Sequence, residues 1–179
     1  MPEPTQDPVP DITAGNHESY MRLALSLAAK SPPKPTNYRV GAVMVDSATN
    51  EVLATGYTLE LPGNTHAEQC CIDKLAQRYA ATGTHLGEAL PDAVDLYTTM
   101  EPCSQRLSGN TPCVDRILAI GKRIKAVYVG VQEPDTFVSQ NSSRKRLEGA
   151  GIEVLVVEGL EQDILEVATA GHDVRSLPT

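Results

Sequence analysis

The chain has 179 residues, 41% of them apolar and 21% charged, with a formal net charge of -8. That length and balance fit one ordinary globular domain and exclude a fibrous or disordered chain. The acidic surplus argues against a nucleic-acid partner, whose affinity comes from neutralised phosphates, but it leaves room for a local basic pocket holding one small phosphate. Tryptophan is absent and phenylalanine occurs once, so the core is expected to consist of aliphatic layers without aromatic clusters.

Residues 1–14 carry four prolines and several acids and read as a flexible proline-rich arm. The arm has no basic stretch followed by an apolar core, so no secretory signal is read there. The longest apolar runs, at 40–45 and 154–157, fall far short of the roughly 20 residues that cross a bilayer. A cytoplasmic protein with no membrane partner is therefore expected, its cysteines serving metals or the core instead of disulfides.

Asn16 is a good cap for a helix in which Met21, Ala24, Leu25 and Ala28 recur at helical spacing, and Pro32, Pro33 and Pro35 end that run. Segments 40–45 and 51–57 read as an antiparallel hairpin closed by the polar turn 46–50. Thr65 is the expected cap of a helix reaching Tyr79, with Ala67, Cys70, Cys71 and Leu75 on its apolar side, and 81–92 reads as a loop.

A strand at 93–99, a helix at 112–120 ended by Gly121 and a strand at 124–130 make a β-α-β unit. A short helix at 143–148, a strand at 152–157 and a last helix at 161–170 follow. The later strands, each separated by a crossover helix, should be parallel and the first two antiparallel. The fold class is thus α/β: a three-layer α/β/α sandwich with a mixed sheet of about five strands, spanning 15–172 and followed by a tail over 173–179.

His66 and Glu68 open one expected helix, while Pro102-Cys103 and Pro112-Cys113 bracket a loop after a strand. Helix starts beyond the carboxyl ends of strands are where open α/β sheets collect their ligands, so the two clusters can meet in one crevice. Two thiolates and one imidazole suit Zn2+, and three protein ligands (His66, Cys103, Cys113) leave a fourth tetrahedral position for water, the arrangement of a catalytic site. Glu68, separated from His66 by one residue on a helix start, is placed to shuttle protons without ligating.

His-x-Glu with Pro-Cys-x-x-Cys is the signature of zinc deaminases. Here nine residues, 104–112, stand where that signature has two. The longer loop carries Arg106, Ser108, Gly109, Asn110 and Thr111, a set able to bind a phosphate, or alternatively to form a solvated turn. Cys70, four residues after His66, is a formal competitor as ligand, but its apolar neighbours favour core packing. His17, His85 and His172 have no partner ligands at useful spacing and read as surface or capping residues. Asn37 could read a ring edge or simply form a turn, and Glu60 could accept from an amino group or a hydroxyl or remain solvated.

With these residues in place, the chain resembles the cytidine deaminase superfamily, and within it the fungal pyrimidine deaminases of riboflavin biosynthesis, over about residues 16–172. The resemblance rests on Asn37-Tyr38-Arg39-Val40-Gly41, Gly63-Asn64-Thr65-His66-Ala67-Glu68, Glu101-Pro102-Cys103-Ser104, Arg106-Leu107-Ser108-Gly109 and Pro112-Cys113, with Ala150-Gly151-Ile152-Glu153-Val154 beyond them. Bacterial relatives of the pathway carry a basic residue after the loop glycine, where this chain has Asn110, and are commonly fused to a reductase.

The resemblance implies a stand-alone deaminase and a homodimer. It also implies hydrolysis of 2,5-diamino-6-ribitylamino-4(3H)-pyrimidinone 5'-phosphate to 5-amino-6-ribitylamino-2,4(1H,3H)-pyrimidinedione 5'-phosphate and ammonia. Asn37, Glu60, Ala67, Arg106, Ser108 and Asn110 are the implied contacts to this small phosphorylated pyrimidine. The alternatives are a superfamily deaminase of cytosine, guanine, a nucleoside or transfer-RNA adenosine, or a non-catalytic structural zinc module.

Overall fold

In the computed structural model, which describes residues 8–132 and 142–172, the elements follow in the order α1 (His17–Ala28), β1 (Gly41–Asp46), β2 (Glu51–Tyr57), α2 (Ala67–Tyr79), α3 (Gly83–Ala89), β3 (Val94–Met100), α4 (Cys113–Ile120), β4 (Ile124–Val131), α5 (Ser143–Gly149), β5 (Glu153–Val156) and α6 (Glu161–Ala168). The sheet has five strands in the order β2-β1-β3-β4-β5. β1 pairs antiparallel with β2 and with β3, whereas β3, β4 and β5 run parallel. The mixed sheet agrees with the expectation and follows from connection length: four residues close the hairpin, while each parallel step needs a crossover helix.

All of β1 is buried. Period-two alternation sends Ala42 and Met44 to one face and Val43 and Val45 to the other. The first face packs under α2, α3, α4 and α5 through Leu75, Leu86, Ile117 and Leu147. On the second face Met21, Ala24 and Ile164 bring in α1 and α6. Close approach is built in at Gly41, where a Cβ would sit 1.8 Å from the Ala24 carbonyl of α1. Asn16 caps α1 as its sequence suggests, accepting from the Ser19 amide at 3.1 Å.

Two expectations are corrected. The segment 81–92 is not all loop, because α3 occupies its centre. Its two glycines and threonine give little helical signal, but Leu86 and Leu90 are buried in the core. Gly87 presses so near α4 that a Cβ would stand 2.1 Å from the Ile120 carbonyl, so tertiary packing overrides weak propensity.

The core is also not purely aliphatic. Tyr97 and Tyr128, register partners on β3 and β4, stack at 4.6 Å, Tyr20 stacks on Tyr97 at 4.8 Å and His17 on Tyr128 at 4.3 Å. The His17 ring nitrogen lies 2.8 Å from the Tyr97 hydroxyl. Few aromatics suffice for a cluster when register places them side by side.

Of the proline-rich arm, residues 1–7 lie outside the described residues, as does the tail 173–179. Ile12 is buried and its carbonyl accepts from the Asn50 amide, so the chain is tied to the domain before residue 14. Among the described residues no helix is long and apolar enough to cross a membrane.

Candidate metal centre and active site

The carboxyl end of β3, the start of α2 and the start of α4 meet at one crevice. α2 is pressed onto β2 at Gly56, where a Cβ would lie 2.3 Å from the Ala67 carbonyl, and this contact sets the helix start beside the sheet. His66 itself is the N-cap of α2, with extended backbone and no side-chain cap bond. Thr65, the cap expected from sequence, instead donates its hydroxyl to the Leu61 carbonyl at 2.9 Å. The His66 side chain is thereby free to face the cysteines.

Cys103 Sγ lies 3.6 Å and Cys113 Sγ 3.5 Å from His66 Nδ1, and the three donor atoms fall within 4.8 Å of one another. Zinc bonds of about 2.0 Å to nitrogen and about 2.3 Å to sulfur at a tetrahedral angle separate N and S by about 3.5 Å, so the donor set fits zinc in chemistry and spacing. Among the described residues, this trio is the group able to hold a metal.

The amides of α4 also favour negative charge here. Cys113 N donates to Cys103 Sγ at 3.3 Å and Val114 N to the Cys103 carbonyl at 3.1 Å. A hydrogen bond from the Cys113 thiol, opposed by burial and reinforced by His66 and the Cys113 amide, draws the Cys103 thiol down to about 4. The same shared proton, with burial and the Glu68 charge, pushes Cys113 up.

Glu68 is buried, and one carboxylate oxygen lies 3.5 Å from Cys113 Sγ while the other accepts from the Thr98 hydroxyl at 3.2 Å. Burial pushes its carboxyl up; His66 pulls it down and Cys103 raises it further. A carboxyl displaced in that direction can hold a proton as well as release one.

A pocket of about 140 Å³ opens over these groups, its wall including His66, Glu68, Cys103, Asn37, Thr58 and Glu101. Asn37 is thus brought to the site. Its amide donates to Asn64 Oδ1 at 2.9 Å, and its Oδ1 accepts from Thr36 Oγ1 at 2.9 Å. Ala67 is buried between His66 and Glu68 in the first turn of α2.

The other expected contacts stand apart from the pocket. Glu60 forms an ion pair with Lys74, accepts from the Tyr57 amide at 3.2 Å and faces a separate, wider cleft of about 850 Å³ beside α1. Arg106 is tied to Gln69 Oε1 at 3.0 Å and to the Asn64 carbonyl. Ser108 and Asn110 are exposed on the loop between the cysteines, where the Asn110 amide donates to Ser108 Oγ at 3.4 Å. Cys70 is buried with its thiol directed at the Tyr57 carbonyl, 3.5 Å away, and does not join the metal group.

Sequence reasoning assigned no role to Thr98 or Glu101. Glu101 directly precedes Pro102-Cys103, lines the pocket and accepts from Ser143 Oγ at 2.7 Å, so its place in the motif was the available signal. Thr98 had none, because its contact with Glu68 spans thirty positions of chain and exists only once α2 lies on the sheet.

The sequence model of the cytidine and deoxycytidylate deaminase zinc-binding region matches residues 14–131. The chain is 39% identical over 157 residues to a diaminohydroxyphosphoribosylamino-pyrimidine deaminase of Schizosaccharomyces pombe, covering 88% of this chain and 36% of that protein. It spans between 32% and 36% of the length of the curated relatives it matches. Among solved structures it is similar to the Aspergillus oryzae Rib2 deaminase, a C-terminal deletion mutant, at 48% identity and a TM-score of 0.80, covering 89% of this chain and 94% of that one. The same Aspergillus protein in complex with DARIPP is matched at 45% identity and a TM-score of 0.79, over 89% and 93% of the two chains.

Proposed function

The chain belongs to the cytidine and deoxycytidylate deaminase zinc-binding family. From that premise we propose that it hydrolyses 2,5-diamino-6-ribitylamino-4(3H)-pyrimidinone 5'-phosphate to the corresponding pyrimidinedione phosphate and ammonia, in riboflavin biosynthesis. The observation that carries the reading is the convergence of His66 Nδ1, Cys103 Sγ and Cys113 Sγ within 4.8 Å, with the Glu68 carboxylate beside Cys113 in the same pocket. The identity to the fission yeast deaminase and the complex of the Aspergillus neighbour with DARIPP support a small phosphorylated pyrimidine as substrate.

His66, Cys103 and Cys113 would hold the zinc. When bound, zinc supplies a Lewis acid that makes water a competent nucleophile near neutral pH. Glu68 Oε2 takes a proton from the attacking water and delivers it to the ring nitrogen, then carries the second proton to the departing amine. One water and one C–NH2 group thus become a carbonyl and ammonia. Thr98 holds the other oxygen of Glu68 and so fixes the direction in which the carboxyl moves its proton.

Asn37 reads the ring edge with its amide, and the backbone N–H of Ala67, in the first turn of α2, donates to a ring carbonyl. A pocket of about 140 Å³ suits a planar ring with the ribityl phosphate outside it, and the exposed Ser108 and Asn110 are the loop groups offered to that phosphate. Arg106 braces that loop against Asn64 and Gln69. Glu60, paired with Lys74, is left out of the contact set. The protein acts in the cytoplasm as a homodimer on this reading.

Purified, zinc-loaded protein is expected to release ammonia from the ribitylamino-pyrimidinone phosphate. Turnover of cytosine, guanine or nucleosides, with none of that compound, rejects the assignment.

A further inference from the structure

The wall of the pocket that carries Thr36, Asn37 and Tyr38 is the connector between α1 and β1. Within it, the regular pairing is one isolated bridge, Lys34 to Asn37. A wall made of such a connector needs fastening from outside if Asn37 is to hold a ring edge in place.

The fastening comes from the turn after α6. His172 Nε2 lies 2.8 Å from the Asn37 carbonyl, and the Tyr38 and His172 rings meet with centroids 5.0 Å apart at 56°. The Arg39 amide donates to the Ala168 carbonyl at 3.1 Å. Gly171, at φ +91, presses the turn onto the connector so closely that a Cβ would lie 2.8 Å from the Lys34 nitrogen. From Asn37 the contacts continue inward, through its amide to Asn64 and through the Asn64 carbonyl to Arg106, which reaches Gln69 on α2. Four segments distant in sequence are tied in one belt around the pocket rim.

We infer that His172 is a positioning residue for substrate binding, clamping the Asn37 wall of the pocket from the turn that follows α6. The inference rests on the proposed deaminase reading for its kinetic consequence but on geometry alone for the clamp. His172 lies outside the 14–131 region that matches the family model, and it contacts neither the metal trio nor Glu68. Its loss should therefore weaken binding of the ring without touching proton transfer.

The test compares His172→Ala and His172→Gln in the full chain. His172→Ala should raise KM for the pyrimidine phosphate about 10-fold with kcat within about 3-fold, the signature of lost uniform binding. It should keep its zinc, and amide hydrogen exchange across 36–40 should be faster than in the wild type while exchange in α2 is unchanged. His172→Gln, which retains an N–H donor of similar reach, should return both KM and exchange toward the wild type. An unchanged KM in His172→Ala overturns the inference, whatever the exchange, and so does a fall in kcat and zinc content that His172→Gln fails to rescue. If the wild-type protein does not act on the pyrimidine phosphate, the functional reading fails on its own, and exchange across 36–40 still decides the clamp: unchanged exchange in His172→Ala overturns it.

Discussion

The four cysteines form two pairs, Cys70 with Cys71 and Cys103 with Cys113, and burial does not tell them apart: Cys70, Cys71 and Cys113 are all fully buried. Their neighbours do. The thiols of Cys70 and Cys71 point at the Tyr57 and Ala42 carbonyls, each 3.5 Å away, and burial pushes both up as it would any small apolar side chain with a weak donor. Cys103 and Cys113 both face the His66 imidazole, and the first amide of α4 donates to Cys103 Sγ, where negative sulfur is stabilised. A thiol becomes a metal ligand through what is aimed at it.

The largest effect should follow from breaking the second pair. Cys103→Ala and Cys113→Ala should each lose zinc as measured by metal analysis, and deamination should fall beyond the ~10⁴-fold at the top of the range for a lost acid–base group. Next in size is Glu68→Gln, which keeps all three donors. It should bind zinc like the wild type while turnover falls by ~10²–10⁴-fold in an ammonia-release assay, and near-normal turnover would remove Glu68 from the mechanism. The smallest effect belongs to the first pair. Cys70→Ala should keep zinc and kcat and lose about 1 kcal/mol in denaturant unfolding, the cost of a small core cavity.

The cysteine comparison was legible in the sequence because each pair carries its own context. Pro102-Cys103 and Pro112-Cys113 bracket the loop that follows a strand, whereas Cys70 and Cys71 sit among Ala67, Ile72 and Leu75 on a helix. The mixed sheet and its crossovers were legible for a related reason, since connection length dictates strand direction. α3 was not, because its helical state is set by burial of Leu86 and Leu90 in the core and by the close approach of Gly87 to α4, and not by local propensity.

Where the proposed binding residues stand in the fold was legible only in part. Asn37 and Ala67 lie in or beside the pocket, but Glu60 and Arg106 have side-chain partners in Lys74 and Gln69 that a linear reading cannot supply. The aromatic cluster, Thr98 and the His172 clamp depend likewise on residues brought together only when the sheet and its helices pack. Pairwise contacts of high sequence separation leave no periodicity to read.

The most direct test of the account is zinc stoichiometry in Cys113→Ala beside Cys70→Ala, each purified folded and analysed for metal per chain. Cys113→Ala should carry little or no zinc and Cys70→Ala one ion per chain, as the wild type. Zinc retained by Cys113→Ala and lost from Cys70→Ala would contradict the three-ligand site and point to a closed structural centre.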